Sequence, residues 1–388
     1  MVASSKLFEL PLCRKHCAGV IHSLPHQTCT EAYIWNIYRN HVSSCKYYFP
    51  LLLIPLLMQY NKLNRKRVWF AVRNYLETSC LGAIINATTY YLVCIFRQLN
   101  GRFVWAFTPF ISNLLGTQLI WLASPKVVQF LCTGIVHASL ETILRQLNLG
   151  VVHSHLSRTF VFMLCSIIVL RGQQAHGYSD FWFIRPKQLP QDYHKRSIEQ
   201  RMKDGLLELR AYLGFGLGMD LFSAVVNRKM GKINLKSTRF LVSYMGIYKV
   251  LQCLLIDHMD VKHTNLLAAF LSGGAFWFVK QIPLTLMSFA VVVATQVLWK
   301  EFCATDASKS QLRSGLQCIP WAKLLIPPNL AYLTHINIFQ RAKVSKLAMS
   351  FIGNTCEFND LRISNMLSLS TEEIMDIFSK LPERPFLF

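Results

Sequence analysis

The residues best equipped for chemistry come early in the chain. The stretch "CRKHCAGVIHSLPHQTC", Cys13 to Cys29, holds three cysteines and three histidines. Thiolate and imidazole are the usual ligands of tetrahedral zinc, commonly with two to four residues inside each ligand pair. Cys17, His22, His26 and Cys29 are separated by four, three and two residues, which fits one small chelate, and Cys13 and His16 are spare donors. The same residues also read as a loop of free thiols, because no second Cys-x-x-Cys pair accompanies them.

A second group of polar residues lies inside apolar runs. Glu141 precedes Arg145 by four residues, the spacing of a helical ion pair. Lys249 sits in "GIYKVLQC" with no carboxylate in its segment before Asp257. Charges in such runs are expensive, so they are paired or they line a path. A polar path for a substrate and a buried pair joining helices are both open for Glu141, Arg145 and Lys249. Gly214, Gly216 and Gly218 do not form a nucleotide loop, since no strand precedes them and the third glycine is misplaced. Together with Gly273 and Gly274 they read as close helix packing, with Gly214 and Gly218 one turn apart. One His-x-x-x-His, His22 to His26, is too few for a membrane di-iron enzyme. A P-loop, a Ser-His-Asp set and paired catalytic carboxylates do not stand out. The expectation is a protein that is not an enzyme, with no cofactor beyond zinc at the N-terminal segment.

The elements that must position these residues are apolar. Hydrophobic residues make up 52% of the 388 and charged residues 16%, against about 25% charged in ordinary globular chains. So few charges cannot cover the surface of a soluble protein of this size. Lys and Arg number 41 against 20 Asp and Glu, a net charge of +21. These cations cluster at 62–73, 171–203, 228–239 and 341–346, between or beyond apolar runs. That is the pattern of loops at a membrane surface, so the charge points to membrane lipids as partners and not to nucleic acid. Candidate spans are 76–96, 103–123, 127–144, 159–170, 211–226, 240–256, 266–279 and 282–299. Tyr47–Tyr60, with Pro50 and Pro55, reads as an interfacial, re-entrant or short kinked segment. The opening residues do not read as a secretory leader, and the closing Phe-Leu-Phe is not a peroxisomal matrix address. Buried cysteines such as Cys80, Cys94, Cys132, Cys165 and Cys253 count as small hydrophobes.

The expected fold is therefore all-α, a multi-pass transmembrane helical protein in five segments. They are a Cys/His-rich N-terminal segment (1–46), a first membrane block (47–170), a basic polar linker (171–210), a second membrane block (211–300) and a non-spanning amphipathic region (301–388).

Several motifs resemble the transmembrane protein 135 family, also called peroxisomal membrane protein 52. They are the Cys/His segment ending at Cys29, "CIFRQLNGRFVWAFTP" (94–109), "ASLETILRQLNLG" (138–150), and "FLVSYMGIYKVLQCLL" (240–255) followed by "LLAAFLSGGAFWF" (266–278). The likeness covers roughly residues 13 to 355. The chain departs from the family in a ligand spacing one residue longer near His22 and in lacking a clean further span at 301–325, as a divergent or shortened member would. The glycine-rich second block is similar, more distantly, to the Tim17/22/23 translocase fold. The resemblance implies a multi-pass protein of peroxisomal and mitochondrial membranes that regulates mitochondrial fission and fusion, peroxisome organisation and lipid metabolism. It implies a dynamin-related fission GTPase as partner. The translocase likeness implies a second class of function, a conduit for lipid or polypeptide.

Overall fold

The computed structural model describes residues 11–22, 24, 26–58, 64–178, 182–190, 193–226, 234–279, 283–304, 311–369 and 373. Among these the protein is all-helical. In chain order the helices of eight or more residues are α1 (Cys29–Met58), α2 (Arg65–Asn100), α3 (Thr108–Gly116), α4 (Pro125–Leu147), α5 (His155–His176), α6 (Ile198–Val226), α7 (Lys236–Leu255), α8 (Val261–Ser272), α9 (Pro283–Ala304), α10 (Gln311–Cys318), α11 (Trp321–Phe339), α12 (Lys346–Thr355) and α13 (Asn359–Ser368). Four of them are long and apolar enough to cross a membrane: α2, α4, α5 and α9, the last counted from Leu284. The protein thus has the helices of a multi-pass membrane protein.

Helix boundaries follow local chemistry. At the start of α1, the Thr28 N–H donates to the Glu31 carboxylate at 2.8 Å and the Glu31 N–H donates to the Thr28 hydroxyl at 3.2 Å, a reciprocal capping box. Helix α2 stops at Gly101, whose φ of 66° is open to glycine at no steric cost. The Asp220 carboxylate of α6 accepts from the N–H groups of Ser237 and Thr238 at 3.0 and 2.9 Å. It caps α7 from the neighbouring helix and fixes how the two pair.

The chain divides into two compact units, residues 1–146 with 320–388, and residues 147–319. The sequence segments predict a boundary at the 171–210 linker. That stretch instead belongs to one unit: α5 runs to His176, Trp182 and Ile184 are buried, and α6 already begins at Ile198. The linker looked polar because its basic side chains outnumber the few aromatic anchors that hold it down. The C-terminal part also belongs elsewhere than expected, since 320–388 completes the first unit.

Each unit repeats one succession. A long hairpin (α1/α2, α6/α7) leads to a short helix that tightens into a six-residue 3₁₀ turn, α3 into Thr117–Leu122 and α8 into Gly273–Phe278. Each turn carries tryptophan at its fifth position, Trp121 and Trp277. An apolar helix beginning at proline follows, α4 at Pro125 and α9 at Pro283. One further helix packs on each short helix, α11 on α3 and α5 on α8.

These short helices correct two predicted spans. Residues 103–123 do not cross as one helix: Phe103 and Trp105 stack in the core with centroids 4.9 Å apart, and helix begins only at Thr108, with Pro109 in its first turn. Residues 266–279 likewise change from α to 3₁₀ at Gly273. Hydropathy counts apolar side chains but does not register that these are spent on the interior. The Tyr47–Tyr60 stretch is no separate segment either. Up to Met58 it is the second half of α1; residues 59–60 lie outside the described residues. So does half of the basic cluster 228–239, at 228–233.

The glycine prediction is corrected in part. A Cβ on Gly273 would lie 2.8 Å from Met163 Cα, so the 3₁₀ turn after α8 approaches α5 there at backbone distance. On α6 the packed residue is Gly216, whose Cβ would lie 2.6 Å from Thr238 Cα. Gly214, Gly218 and Gly274 meet nothing within 4 Å among the described residues. Gly214 and Gly218 share a helix face, and it is not the one turned to α7.

Candidate metal centre

The N-terminal segment is folded by its backbone against α2. A 3₁₀ turn, Pro11–Arg14, and a helical turn, Cys17–Val20, precede the loop into α1. Phe103 N–H donates to the Cys13 carbonyl at 2.8 Å, and Arg97 Nε donates to the Lys15 carbonyl at 3.2 Å. Leu12, Val20 and Ile21 are buried in the same core as Phe103 and Trp105. These contacts bring the segment's cysteines against the last two turns of α2.

There Cys17, His22, Cys29 and Cys94 converge, with one ligand atom of each within 4.8 Å of all the others. The Sγ atoms of Cys17 and Cys29 are 3.4 Å apart, and His22 Nε2 is 3.6 Å from Cys94 Sγ. A zinc–thiolate bond of about 2.3 Å gives tetrahedral ligand–ligand edges of about 3.8 Å, so the four donors already stand near the spacing of one ion. The outer contacts suit the same purpose. His22 Nδ1 lies 2.9 Å from the Gln27 carbonyl. A carbonyl can only accept, which assigns the proton to Nδ1 and leaves Nε2 turned to the thiols. Gln98 Nε2 donates to Cys29 Sγ at 3.6 Å. Three thiols and one imidazole, mostly buried and jointly aimed, could hold a metal ion.

The set is not the one predicted from spacing. Cys17, His22 and Cys29 are brought together as expected, but His26 is not among them; it is exposed in the loop. Its place is taken by Cys94 of α2. The capping box fixes the start of α1 directly before Cys29, and the loop ahead of it turns His26 to solvent. Cys94 stands in an apolar run, where it counted as a small hydrophobe. A signal was nevertheless present: Cys94 opens the motif "CIFRQLNG", whose Arg97 and Gln98 both reach back to the N-terminal segment.

The cluster's electrostatics favour the charged ligand. The Cys29 and Cys94 thiols beside Cys17, helped by the His22 ring, hold the Cys17 thiol far below the ordinary thiol range, against its burial. Burial acts to lower the pKa of His22, but the thiols of Cys17 and Cys29 outweigh it and raise it to about 9. Without metal, the neutral-pH site therefore holds a Cys17 thiolate facing a His22 imidazolium. Metal must displace the Nε2 proton and the protons of the remaining thiols, so affinity should rise with pH through the neutral range, the imidazole's share of the rise fading above about pH 9. We expect a gain of at least about tenfold per pH unit through the neutral range, measured by competition with a chromophoric chelator.

The other predicted residues lie apart from this centre. Glu141 is fully buried in α4 and pairs with Arg145 at 2.6 Å. Lys249 has the carboxylate that its own segment lacks: Glu208 of α6, 2.7 Å away, both side chains nearly buried. Sequence spacing misses this partner because it lies on the preceding helix. From there a file of side chains continues. Lys249 donates to Gln252 at 3.3 Å, Gln252 to Asn265 at 2.7 Å, Tyr248 to Asn265 at 3.4 Å, and Gln174 donates to the Tyr248 hydroxyl.

Comparison of the chain with protein-family models, with curated proteins and with solved structures gives no match.

Proposed function

We propose that the protein is a non-enzymatic, multi-pass organelle membrane protein whose N-terminal segment is fastened to the membrane domain by structural zinc. The observation that carries this reading is Cys94: a residue of a membrane-length helix completes a ligand set begun in the N-terminal segment. Three thiolates and an imidazole match zinc's preference for a soft, tetrahedral shell. Four protein ligands also close that shell, which suits a structural ion; catalytic zinc keeps a position open. The ion would be held by Cys17, His22, Cys29 and Cys94 and would supply cross-linking between segment and helix.

The cellular role follows from the resemblance. On this reading the protein acts in peroxisomal and mitochondrial membranes on the fission–fusion balance, peroxisome organisation and lipid metabolism, with a dynamin-related GTPase as its fission partner. Its basic loops meet anionic lipid. A tagged copy should localise to both membranes, and its loss should elongate the mitochondrial network. Organelles of unchanged shape in cells lacking the protein would overturn the regulatory role.

A second reading, a conduit for lipid or polypeptide, is favoured by one observation: the Glu208–Lys249 pair and the polar file leading to Gln174. The Tim17/22/23-like reading of the second block belongs with it. Flux across liposomes that disappears in Lys249→Ala supports the conduit, and equal flux in both proteins removes it.

A further inference from the structure

We infer that Cys80 is a site of S-acylation, where the protein accepts a long acyl chain from an acyl thioester and lays it in a groove between α1 and α2. Three features of the hairpin meet at this residue. The first is a thiol–imidazole relay. His41 of α1 places Nδ1 3.7 Å from Cys80 Sγ and Nε2 3.7 Å from Cys45 Sγ. With the ring proton on Nε2 and directed at Cys45, Nδ1 is free to receive the Cys80 proton, so Cys45 orients the base that serves Cys80. The two sulfurs address different ring nitrogens, and the trio is therefore no chelate for one ion.

The second feature is the space in front of Cys80. An apolar groove of about 450 Å³ is lined by Ile34, Ile37, Tyr38, His41, Cys80, Ala83 and Ile84, within the size range of small-molecule pockets. Cys80 is the exposed thiol of the pair, and Cys45 does not line the groove. The third feature is the level in the membrane. Arg65, Lys66, Arg67 and Arg73 are exposed at the start of α2, and Cys80 lies about 10 Å beyond Arg73 at 1.5 Å per residue. A thiol just inside the headgroup level is where acyl chains are attached, and the cations stand where a donor's phosphates would rest.

The step balances without an oxidant. His41 Nδ1 takes the Cys80 proton as the sulfur attacks the donor's carbonyl carbon. The tetrahedral intermediate breaks its bond to the donor sulfur, and the departing thiolate recovers the proton from His41. One thioester replaces another, and the new chain lies along Ile34, Ile37 and Ile84.

The test uses full-length protein in phosphatidylcholine nanodiscs, incubated with an alkyne-tagged palmitoyl-coenzyme A thioester and read by intact mass and hydroxylamine lability. One hydroxylamine-labile chain is expected, absent in Cys80→Ser. His41→Gln should slow labelling by about 100-fold or more, the usual share of a positioned base. Acetyl-coenzyme A should react at least about tenfold more slowly than the long-chain donor, and Ile34→Trp, which fills the groove from its exposed side, should remove that preference. Any of four results overturns the inference: an unlabelled wild type, labelling that survives in Cys80→Ser, His41→Gln at the wild-type rate, or acetyl transfer as fast as palmitoyl transfer. The chain-length comparison needs no variant, so it holds even if a substitution disturbs folding.

Discussion

Cys94→Ser is expected to abolish the zinc binding proposed for the Cys17, His22, Cys29 and Cys94 cluster. The wild type should carry about one equivalent, and the variant less than half. Removing a hydrogen-bond partner of a metal ligand lowers affinity by about 10–100-fold; loss of one of four ligands should exceed that range. The effect should spread, because apparent binding energies of structural zinc reach about 10–16 kcal/mol at neutral pH and act as folding energy. Without the ion, the segment before α1 is held by hydrogen bonds from Phe103, Arg97 and Arg362 and by its share of the core. Limited proteolysis should therefore cut ahead of Cys29 in Cys94→Ser and in chelator-treated wild type, and spare the zinc-loaded protein. His26→Ala is the control: it should retain its metal, since His26 is exposed and outside the ligand set. Metal loss in His26→Ala with full occupancy in Cys94→Ser would restore the ligand set predicted from spacing.

The second large effect should come from Asp360. This carboxylate is fully buried on α13 and gathers three donors: Asn337 Nδ2 at 2.6 Å, Arg341 Nη1 at 2.9 Å and the Cys356 thiol at 3.1 Å. It joins α11, the turn after it, and the end of α12. Asp360→Ala leaves the Arg341 charge and the Asn337 amide without their acceptor, and breaking a buried pair in this way costs about 3–5 kcal/mol. Arg341 is partly exposed and regains some hydration, which puts the expected loss near about 3 kcal/mol. Thermal unfolding in detergent should show it. Cys356, buried beside Asp360, should become reactive to maleimide in the variant and stay protected in the wild type.

What was legible in the sequence was what lies close along it. The helical, membrane-type composition could be read directly, as could Cys17, His22 and Cys29, which share one loop. The i, i+4 pair Glu141–Arg145 formed as spaced. What escaped was chemistry supplied across the fold. Cys94 lies sixty-five residues from Cys29, and Glu208 lies a helix away from Lys249. No periodicity records either partnership, because each depends on how two helices are rotated toward one another. The breaks at Gly116–Thr117 and Ser272–Gly273 escaped for a related reason. A window average treats Trp105 and Phe276 as lipid-facing apolar residues, whereas both are buried.

The interruption of the first unit has a consequence for how the molecule is made. Residues 147–319 leave the ribosome between its two parts. At about 5–20 residues per second, synthesis of that stretch takes on the order of 10–30 s. Through this interval α3 waits for α11, and Thr142 for the Ser345 N–H that will bond its hydroxyl. The second unit, continuous in sequence, can finish first although it is begun later. The first unit is thus an early-born, late-closing body, and its unfinished faces are where chaperones or the insertion machinery must stand guard during biogenesis.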